Sequence, residues 1–356
     1  MTVCSIYYYV HMITCTLAIT CVLSLPPTWT PLIVGDELEG WTIVNGDKST
    51  WTVNDAMIVC SGKPTGVIRT NKVYENFILE LDWRHMVENG NAGLFVWSDP
   101  FPAIGVPFTK SIEVQIMDGK ELDWYTTHGD IFSIWGAMMT PDRPHPKGYN
   151  RCLPSERRSK PAPEWNHYTV TCIDGTIKLA VNGVIVSGAH DVTPSKGYIC
   201  LEAEGTLAHF KNINIMELPP SSPVTPEAEE IENFYVGFTT LFTGINLRGW
   251  IVNSSTRSHW AVGDNVLTTD GEGDALKTVM EYKDFEFVVD YRCKDETSKP
   301  YMILNGVKTM LDKENVGHWN REVVNRMPDR TLNGQISIGS DEGSVDFCNI
   351  FVRTLK

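Results

Sequence analysis

The segment 111–118, SIEVQIMD, carries the side chains in this sequence that are best suited to chemistry. Apolar residues occupy every second position in it, which is the period of a β-strand. The alternation predicts that Glu113 and Gln115 point from the same face of that strand, with Asp118 on the opposite face unless a bulge follows Gln115. An acid, an amide and a second acid suit sugar binding and acid–base catalysis. The alternative is a hydrogen-bonded polar ladder at the centre of a sheet.

The segment 125–137, YTTHGDIFSIWGA, adds two further candidates close by. His128 and Asp130 flank a glycine in a sequence that is typical of a turn. A histidine and a carboxylate beside the polar strand could exchange protons with a substrate. The alternative is that both are ordinary solvated turn residues.

The elements that must position these side chains are short strands. From residue 32 onward, alternating or continuous apolar runs of strand length are separated by turn signals. Asp174-Gly175 and Asn182-Gly183 lie between alternating runs, which is the strongest short-range signal for a β-hairpin. The sequence therefore predicts an all-β protein built as a sandwich or a barrel.

The charge balance limits the class of ligand. The chain of 356 residues has 30 Lys and Arg against 44 Asp and Glu, a formal net charge of −14, which argues against nucleic acid or an anionic membrane as a partner. A neutral carbohydrate is compatible with this charge. The 11 Trp residues are compatible too, because indole rings stack on sugars, although Trp is also common in cores.

The first 28 residues resemble an export signal. An apolar run from residue 12 to residue 25 ends at two prolines and is too short to span a membrane. We therefore predict a leader over residues 1–28 and a bacterial protein exported to the periplasm or beyond, with no membrane span in the mature chain. The six cysteines after the leader show no CxxC pair, which predicts free, buried thiols.

The chain also resembles itself. Gly40-Trp41 recurs at Gly249-Trp250, and the segment NFILELDWR near residue 80 resembles DFEFVVDYR near residue 288. We predict a first sandwich over 32–218, a Pro- and Glu-rich linker over 219–233, and a shortened second sandwich over 234–356. The second copy lacks the counterpart of residues that include Glu113 and His128, so we place the chemistry in the first copy and expect the second to be non-catalytic.

These motifs together resemble the 3-keto-disaccharide hydrolase domain family. The resemblance rests on WTVNDAMIVCSG, GNAGLFVW, SIEVQIMDG, HGDIFSIWGA, EWNHYTVTC and GYICLEAEGTLAHFKNINI in this order. It implies a concanavalin A-like jelly roll, here two in tandem with the second truncated, and a ligand groove on one face. It also implies an enzyme that cleaves 3-keto-glycosides, with an oligosaccharide or keto-glycoside as substrate.

The resemblance suggests the roles of individual residues. The catalytic candidates are Glu113 or His128 as the base near C2 of the sugar and Asp118 as the group that assists departure of the leaving group. The candidate substrate-binding residues are Gln115, Arg69, Arg84, Asn91, Trp97, Asp130, Trp165 and Glu202. Arg69 or Arg84, or a divalent metal such as Ca²⁺, would face the developing enolate.

Several alternatives stay open at this point. Arg84 could instead pair with the carboxylates of its own strand, and Glu202 with Glu204 could hold Ca²⁺ or face solvent. The spacing of Glu113 and Asp118 also resembles that of laminarinase-type retaining glucanases. A third interpretation is a non-catalytic carbohydrate-binding protein, with four tryptophans as stacking platforms: Trp97, Trp124, Trp135 and Trp165. The basic loop 151–160 would be a lid over the substrate or a partner of the acidic surface.

Overall fold

The structure is a computed structural model that describes residues 27–118, 127–221, 236–312, 315–324 and 333–355. Nearly all of the predicted leader, most of the predicted linker and Trp124 lie outside these ranges, so the predictions for them stay predictions. Within the described ranges, no helix is long and apolar enough to cross a membrane.

Alternating burial explains why the chain forms sheets. Along Phe77–His85, every second side chain is buried, and Phe77, Leu79, Leu81 and Trp83 all belong to the main core. A strand with this pattern packs one face against a second sheet and leaves the other face half-exposed. The prediction of an all-β fold is confirmed.

The first half of the described chain contains sixteen strands. They are β1 (Trp29–Pro31), β2 (Trp41–Ile43), β3 (Trp51–Asn54), β4 (Met57–Cys60), β5 (Gly66–Thr70), β6 (Phe77–His85), β7 (Asn91–Ser98), β8 (Ser111–Met117), β9 (Ile131–Ile134), β10 (Met138–Pro141), β11 (Arg151–Cys152), β12 (Asn166–Ile173), β13 (Thr176–Val181), β14 (Val184–Thr193), β15 (Tyr198–Ala203) and β16 (Ala208–Glu217). A single 3-10 turn, Lys48–Thr50, precedes β3.

These strands make two antiparallel sheets that pack face to face. One sheet has the order β10-β14-β13-β12-β6-β16-β4-β3, with β1 also paired to β16, and the other has the order β11-β9-β8-β7-β15-β5-β2. The strands of both sheets contribute to one large apolar core. The second sheet, called here the seven-stranded sheet, carries β8 near its middle.

The second half contains eleven strands and one short helix. They are β17 (Thr239–Thr240), β18 (Trp250–Ile251), α1 (Ser254–His259), β19 (Trp260–Val262), β20 (Leu267–Thr269), β21 (Leu276–Tyr282), β22 (Phe285–Cys293), β23 (Pro300–Leu304), β24 (Val307–Met310), β25 (Asn320–Val324), β26 (Gly334–Ser340) and β27 (Val345–Thr354). They form sheets with the orders β19-β20-β27-β22-β25 and β18-β21-β26-β23-β24, β17 pairs with β27, and the core is separate from the first.

The strand orders of the two sandwiches correspond. The run β3-β4-β16-β6-β12 matches β19-β20-β27-β22-β25, and β2-β5-β15-β7 matches β18-β21-β26-β23. In the place that β8 occupies beside β7, the second sandwich has the short, exposed β24 beside β23. Among the described residues, the second sandwich thus offers no counterpart of the polar strand. The shortened second copy and its origin by duplication stay predictions.

Local turn chemistry fixes the hairpins of the first sandwich. Asp174-Gly175 joins β12 to β13 and Asn182-Gly183 joins β13 to β14, and all four residues have positive φ between 48° and 85°. Positive φ at both central positions is the requirement of the type I′ turn, which Asn-Gly and Asp-Gly satisfy at least cost. The predicted hairpins are therefore confirmed. All six cysteines of the described chain are free and buried, as predicted.

Candidate functional site

Strand β8 is buried on both of its faces. Ile112, Val114 and Ile116 belong to the main core, while Glu113 and Gln115 line a pocket on the opposite side of the seven-stranded sheet. The predicted common face of the acid and the amide is confirmed. Both side chains are almost fully buried, with exposures of 6% and 4%, so this face is not a solvated sheet surface.

A glycine beside this strand leaves room for two carboxylates. Gly93 of β7 is the neighbour of Gln115 in the sheet. A Cβ atom on Gly93 would lie 2.6 Å from Oε2 of Glu202 and 2.9 Å from Oε1 of Glu113. The sum of these two distances, 5.5 Å, is therefore the greatest separation that the two oxygens can have. Oε2 of Glu202 is buried and has no hydrogen-bond partner among the described residues.

The pocket around this pair has the size of a small-molecule site. Its volume is ≈ 360 Å³, at the lower end of the range of ligand pockets. Its lining residues come from β7, β8, β9, β11 and β15 and from the adjoining loops: Asn91, Phe108, Glu113, Gln115, Phe132, Ile134, Trp135, Arg151, Glu202 and Glu204. Trp135 is 49% exposed, whereas the carboxylates lie deep. The pocket thus has an exposed aromatic side chain, Trp135, at its edge and the buried carboxyls of Glu113 and Glu202 inside.

Burial and mutual repulsion make these carboxyls hold their protons. Burial is the main cause that raises the pKa of Glu113 well above its usual range, and Glu204 and Asp130 raise it further while Arg151 lowers it. The pKa of Glu202 is raised well above its usual range by burial and by its neighbours Glu113 and Glu204. Burial raises the pKa of Glu204 too, although the hydrogen bond from Asn91 opposes this rise. Neighbouring carboxyls whose pKa values are raised by burial and by one another release their protons less readily than exposed ones, and such pairs can serve as acid and base.

A buried ion pair supplies positive charge at the same pocket. Nη1 of Arg151 donates to Oδ2 of Asp130 at 2.8 Å, and both side chains are almost fully buried. The Arg151 guanidinium also lies over the ring of Phe132, with Cζ 3.5 Å from the ring centroid. Asp130 therefore does not line the pocket but holds Arg151, which does. The sequence indicated Arg151 merely as part of a basic loop, and Asp130 as a direct ligand of the substrate.

Asp118 does not join the pocket, and its predicted catalytic role is not supported. Its carboxylate accepts a hydrogen bond from the backbone N–H of Asn89 at 2.6 Å and one from that of Ala162 at 3.1 Å. No bulge turns it toward Glu113, because the pairing of β7 with β8 is regular through Met117. Asp118 ties two loops together, and the second carboxyl near Glu113 is instead Glu202.

His128 is buried but lies outside the pocket lining. Its Nδ1 contacts the hydroxyl of Thr127 at 3.1 Å, and its Nε2 has no hydrogen-bond partner among the described residues. Burial, together with the charge of Arg157, lowers the pKa of His128 to about 4, although Asp118 opposes this shift. The lowered pKa makes His128 a weak base, and its side chain does not line the pocket that holds Glu113.

Three other predicted binding residues lie elsewhere in the sandwich. Arg84 is on the outer face of the other sheet, where its guanidinium stacks 4.5 Å from the ring of Trp165 and contacts His209. Trp97 is fully buried in the core, and its Nε1 donates to the backbone of Glu75. A single residue of offset separates the two faces of a strand, so sequence position near the site does not ensure that a side chain reaches it.

Arg69 shares the face of the pocket without lining it. It pairs with Cys200 across β5 and β15, two residues from Glu202. Its guanidinium lies 4.3 Å from the ring centroid of Tyr198, and Nη1 donates to the carbonyl of Thr70. Arg69 therefore packs against Tyr198, away from the pocket lining. The substrate-binding candidates that do line the pocket are Gln115, Asn91 and Glu202.

The three clustered glutamates do not form a metal-ligand set in the described chain. No group of three or more His, Cys, Asp or Glu side chains among the described residues is placed to hold a metal ion. A divalent metal therefore stays a prediction from the sequence.

Several solved structures are similar to about half of this chain. A candidate glycosyl hydrolase from Parabacteroides distasonis is 25% identical, with a TM-score of 0.42, over 54% of this chain and 94% of that chain. The carbohydrate binding module CBM66 from Bacillus subtilis is 17% identical, with a TM-score of 0.35, over 50% and 96%. The LamA catalytic domain from Zobellia galactanivorans is 8% identical, with a TM-score of 0.36, over 53% and 96%. Comparison with curated proteins finds no match.

The match to a protein family is more extensive than these likenesses. The sequence profile of the 3-keto-alpha-glucoside-1,2-lyase-like domain matches residues 28–216 and 237–300. The two ranges cover both sandwiches in part and include β7, β8 and β15, which carry the pocket. Because they make up more than half of the sequence, the chain belongs to the family of 3-keto-alpha-glucoside-1,2-lyase-like domains.

Proposed function

We propose that the pocket cleaves 3-keto-α-glucosides by elimination. A ketone at C3 acidifies the proton on C2, and the glycosidic oxygen at C1 is then β to the resulting enolate. A base takes the C2 proton, its bonding electrons form the enolate, and the C1–O bond breaks as a C1=C2 double bond forms. The departing oxygen receives a proton, and later addition of water to the unsaturated sugar completes the cleavage.

The carboxyl pair over Gly93 is the observation that carries this proposal. Elimination needs a base that is ionised yet strong enough to remove a carbon-bound proton near neutral pH, and a raised pKa supplies such a base. Glu113 and Glu202 meet this need, because whichever of them is ionised has a raised proton affinity. We assign the base to this pair.

Elimination also needs a positive group near the ketone oxygen and an acid for the departing oxygen, and neighbours of the pair can supply both. The guanidinium of Arg151 lines the pocket and is always charged, so it can stabilise negative charge on the ketone oxygen. Glu204 has a raised pKa and can carry the proton for the departing oxygen. Gln115 supplies an amide that can donate to a sugar hydroxyl and accept from one.

A second candidate is ordinary retaining hydrolysis. In retaining glycosidases the two catalytic carboxyls are about 5–5.5 Å apart. The Glu113 and Glu202 oxygens are at most 5.5 Å apart, which permits that spacing. Both routes need one ionised carboxyl; we favour elimination because a raised pKa gives that carboxylate the proton affinity that a base toward a C–H proton needs, and because the matched family is one of 3-keto-alpha-glucoside-1,2-lyase-like domains. A third outcome, carbohydrate binding without chemistry, would use Trp135 as a stacking platform.

Substrate choice and isotope labelling distinguish these candidates. The purified protein is incubated in D₂O with a 3-keto-α-glucoside and with the same glucoside unoxidised, with and without EDTA. Elimination predicts that sugar is released from the keto substrate alone. It also predicts that deuterium enters C2 of the product much faster than it does without protein. Glu113→Gln and Glu202→Gln should each lower kcat/KM at least about 100-fold.

Matched controls keep the result interpretable. Glu217→Gln alters a carboxylate that is half-exposed and pairs with a surface lysine, so its activity should equal that of the unmodified protein. Release from the unoxidised glucoside without C2 deuterium would overturn the elimination in favour of retaining hydrolysis. Retention on immobilised glycan without release from either sugar would favour a binding protein.

A further inference from the structure

A second cavity adjoins the candidate catalytic pocket. Its volume is ≈ 540 Å³, and its walls include Asp99, Phe101, Ile104, Lys110 and Arg321. Trp135 lines both this cavity and the pocket that holds Glu113. We call it the outer cavity. The shared tryptophan makes the two spaces neighbours on one surface.

The wall of the outer cavity belongs mainly to the loop 99–110, which connects β7 to β8. This loop lies against the second sandwich. Phe101 packs on Phe351 with ring centroids 4.4 Å apart, and the backbone N–H of Gly105 donates to the carboxylate of Asp290 at 2.9 Å. Since Asp290 is fully buried in the second sandwich, this contact replaces water that a carboxylate would otherwise require.

Two side chains of the second sandwich also hold the loop by its carbonyl groups. Nη2 of Arg321 donates to the carbonyl of Pro102 at 2.8 Å, and Nδ2 of Asn349 donates to those of Ala103 and Val106 at 3.1 and 2.9 Å. Carbonyl acceptors in a loop satisfied by a second domain fix the loop's backbone. The second sandwich therefore sets the shape of the outer cavity.

The same loop reaches the inner pocket as well. Phe108, near its end, lines the pocket that contains Glu113, and it packs edge-on against Phe95 of β7. The loop 99–110 thus lines both the pocket and the outer cavity, and the second sandwich holds it in place. The second sandwich can therefore act by positioning this loop, without a catalytic strand of its own.

The outer cavity has the chemistry of a sugar subsite. The indole of Trp135 is half-exposed between the two spaces, and an exposed indole face stacks on the C–H face of a sugar ring. Asp99 and Lys110 add a carboxylate and an ammonium that can bind hydroxyl groups. Burial raises the pKa of Asp99, and the nearby Lys110 opposes that shift, so the two groups act on each other.

We propose that the outer cavity binds the leaving-group side of the substrate, as a sugar unit that stacks on Trp135 and contacts Asp99 and Lys110. The second sandwich, which holds the loop 99–110, would thereby take part in substrate binding. This inference rests on the proposed function for the identity of the inner unit. The occupant follows from continuity, because Trp135 lines both the pocket that holds Glu113 and the outer cavity.

The test compares substrates of increasing length. The full chain is assayed with 3-keto derivatives of methyl α-glucoside, maltose and maltotriose, each oxidised on the non-reducing unit. In the unmodified protein, kcat/KM should rise with length. Lys110→Ala and Asp99→Asn should each lower kcat/KM about tenfold for the two longer substrates, a change of about 1.4 kcal/mol, and less than twofold for the methyl glycoside. Lys308→Ala, which alters an exposed ion pair in the second sandwich, is the control and should change none of the three.

A binding series separates this inference from the reaction itself. The dissociation constants of unoxidised methyl α-glucoside, maltose and maltotriose are measured by calorimetry on the same proteins. Tighter binding of longer sugars that Lys110→Ala abolishes would support the subsite even if no keto sugar is cleaved. Affinity and kcat/KM that do not depend on length, or equal losses for all three lengths in both variants, would overturn it.

Discussion

Gly93→Ala tests the carboxyl pair without altering a carboxyl. The new Cβ would lie 2.6 Å from Oε2 of Glu202 and 2.9 Å from Oε1 of Glu113, and ordinary van der Waals contact begins at 3.4 Å. The two oxygens must therefore retreat by about 0.8 and about 0.5 Å unless the backbone moves. Displacements approaching 1 Å in catalytic groups can cost about 100-fold, so we expect kcat/KM for a 3-keto-α-glucoside to fall roughly 10- to 100-fold.

The cost of the same substitution in stability should be moderate. Overpacking of a well-packed site typically costs about 1–3 kcal/mol. Gly93 has no positive φ, so alanine adds no backbone strain there. Urea unfolding should thus show a folded variant whose free energy of unfolding is lower by about 1–2 kcal/mol. The activity loss would then not come from unfolding.

A matched glycine in the second sandwich provides the control. A Cβ on Gly339 would lie 2.7 Å from Cζ and Oη of Tyr301, a clash of similar severity far from the pocket. Gly339→Ala should lower stability by a comparable amount and leave kcat/KM unchanged. Activity of Gly93→Ala within threefold of the unmodified protein would refute the assignment of the carboxyl pair.

Three further predictions concern buried charges around the site. The pKa of Glu202 is raised in the folded protein, so its contribution to stability is present below the unfolded pKa near 4.5 and is lost as pH rises through the folded pKa. The melting temperature of Glu202→Gln should therefore exceed that of the unmodified protein at pH 8, and the two should converge near pH 4. Asp130→Asn leaves the buried Arg151 without its carboxylate and should cost about 3 kcal/mol in urea unfolding, against less than about 1 kcal/mol for the exposed control Glu217→Gln. His128 has a pKa lowered to about 4, so the stability that it contributes above pH 6.5 is lost as pH falls toward 4; His128→Gln should show a shallower acid decline of melting temperature, and an equal decline would contradict its buried, neutral state.

Much of the architecture could be predicted because it depends on local patterns. The hairpins at Asp174-Gly175 and Asn182-Gly183 follow from the φ angles that these residues tolerate. The common face of Glu113 and Gln115 follows from the two-residue period of a strand, which holds wherever the strand is placed. The linear order of motifs was also sufficient to identify the family.

The partners of Glu113 could not be predicted in this way, because they come from other strands. Asp118 is near in sequence, but its carboxylate is used by two backbone N–H groups, whereas Glu202 reaches Glu113 across Gly93. The positive group of the pocket is Arg151 and not Arg84, because the latter lies on the outer face of the other sheet. Which strands become neighbours depends on long-range pairing and burial, which sequence spacing does not encode.

The sequence by itself determined an all-β chain, the polar face of β8 and the turns that end its hairpins, since each depends on the preferences of adjacent residues. The tertiary structure decided which carboxyls share the pocket, how burial raises the pKa of Glu113, and where the loop 99–110 meets the second sandwich. These properties arise between groups that are distant in the chain. Proximity in space, and the removal of water that comes with it, turns ordinary glutamates into a candidate acid–base pair.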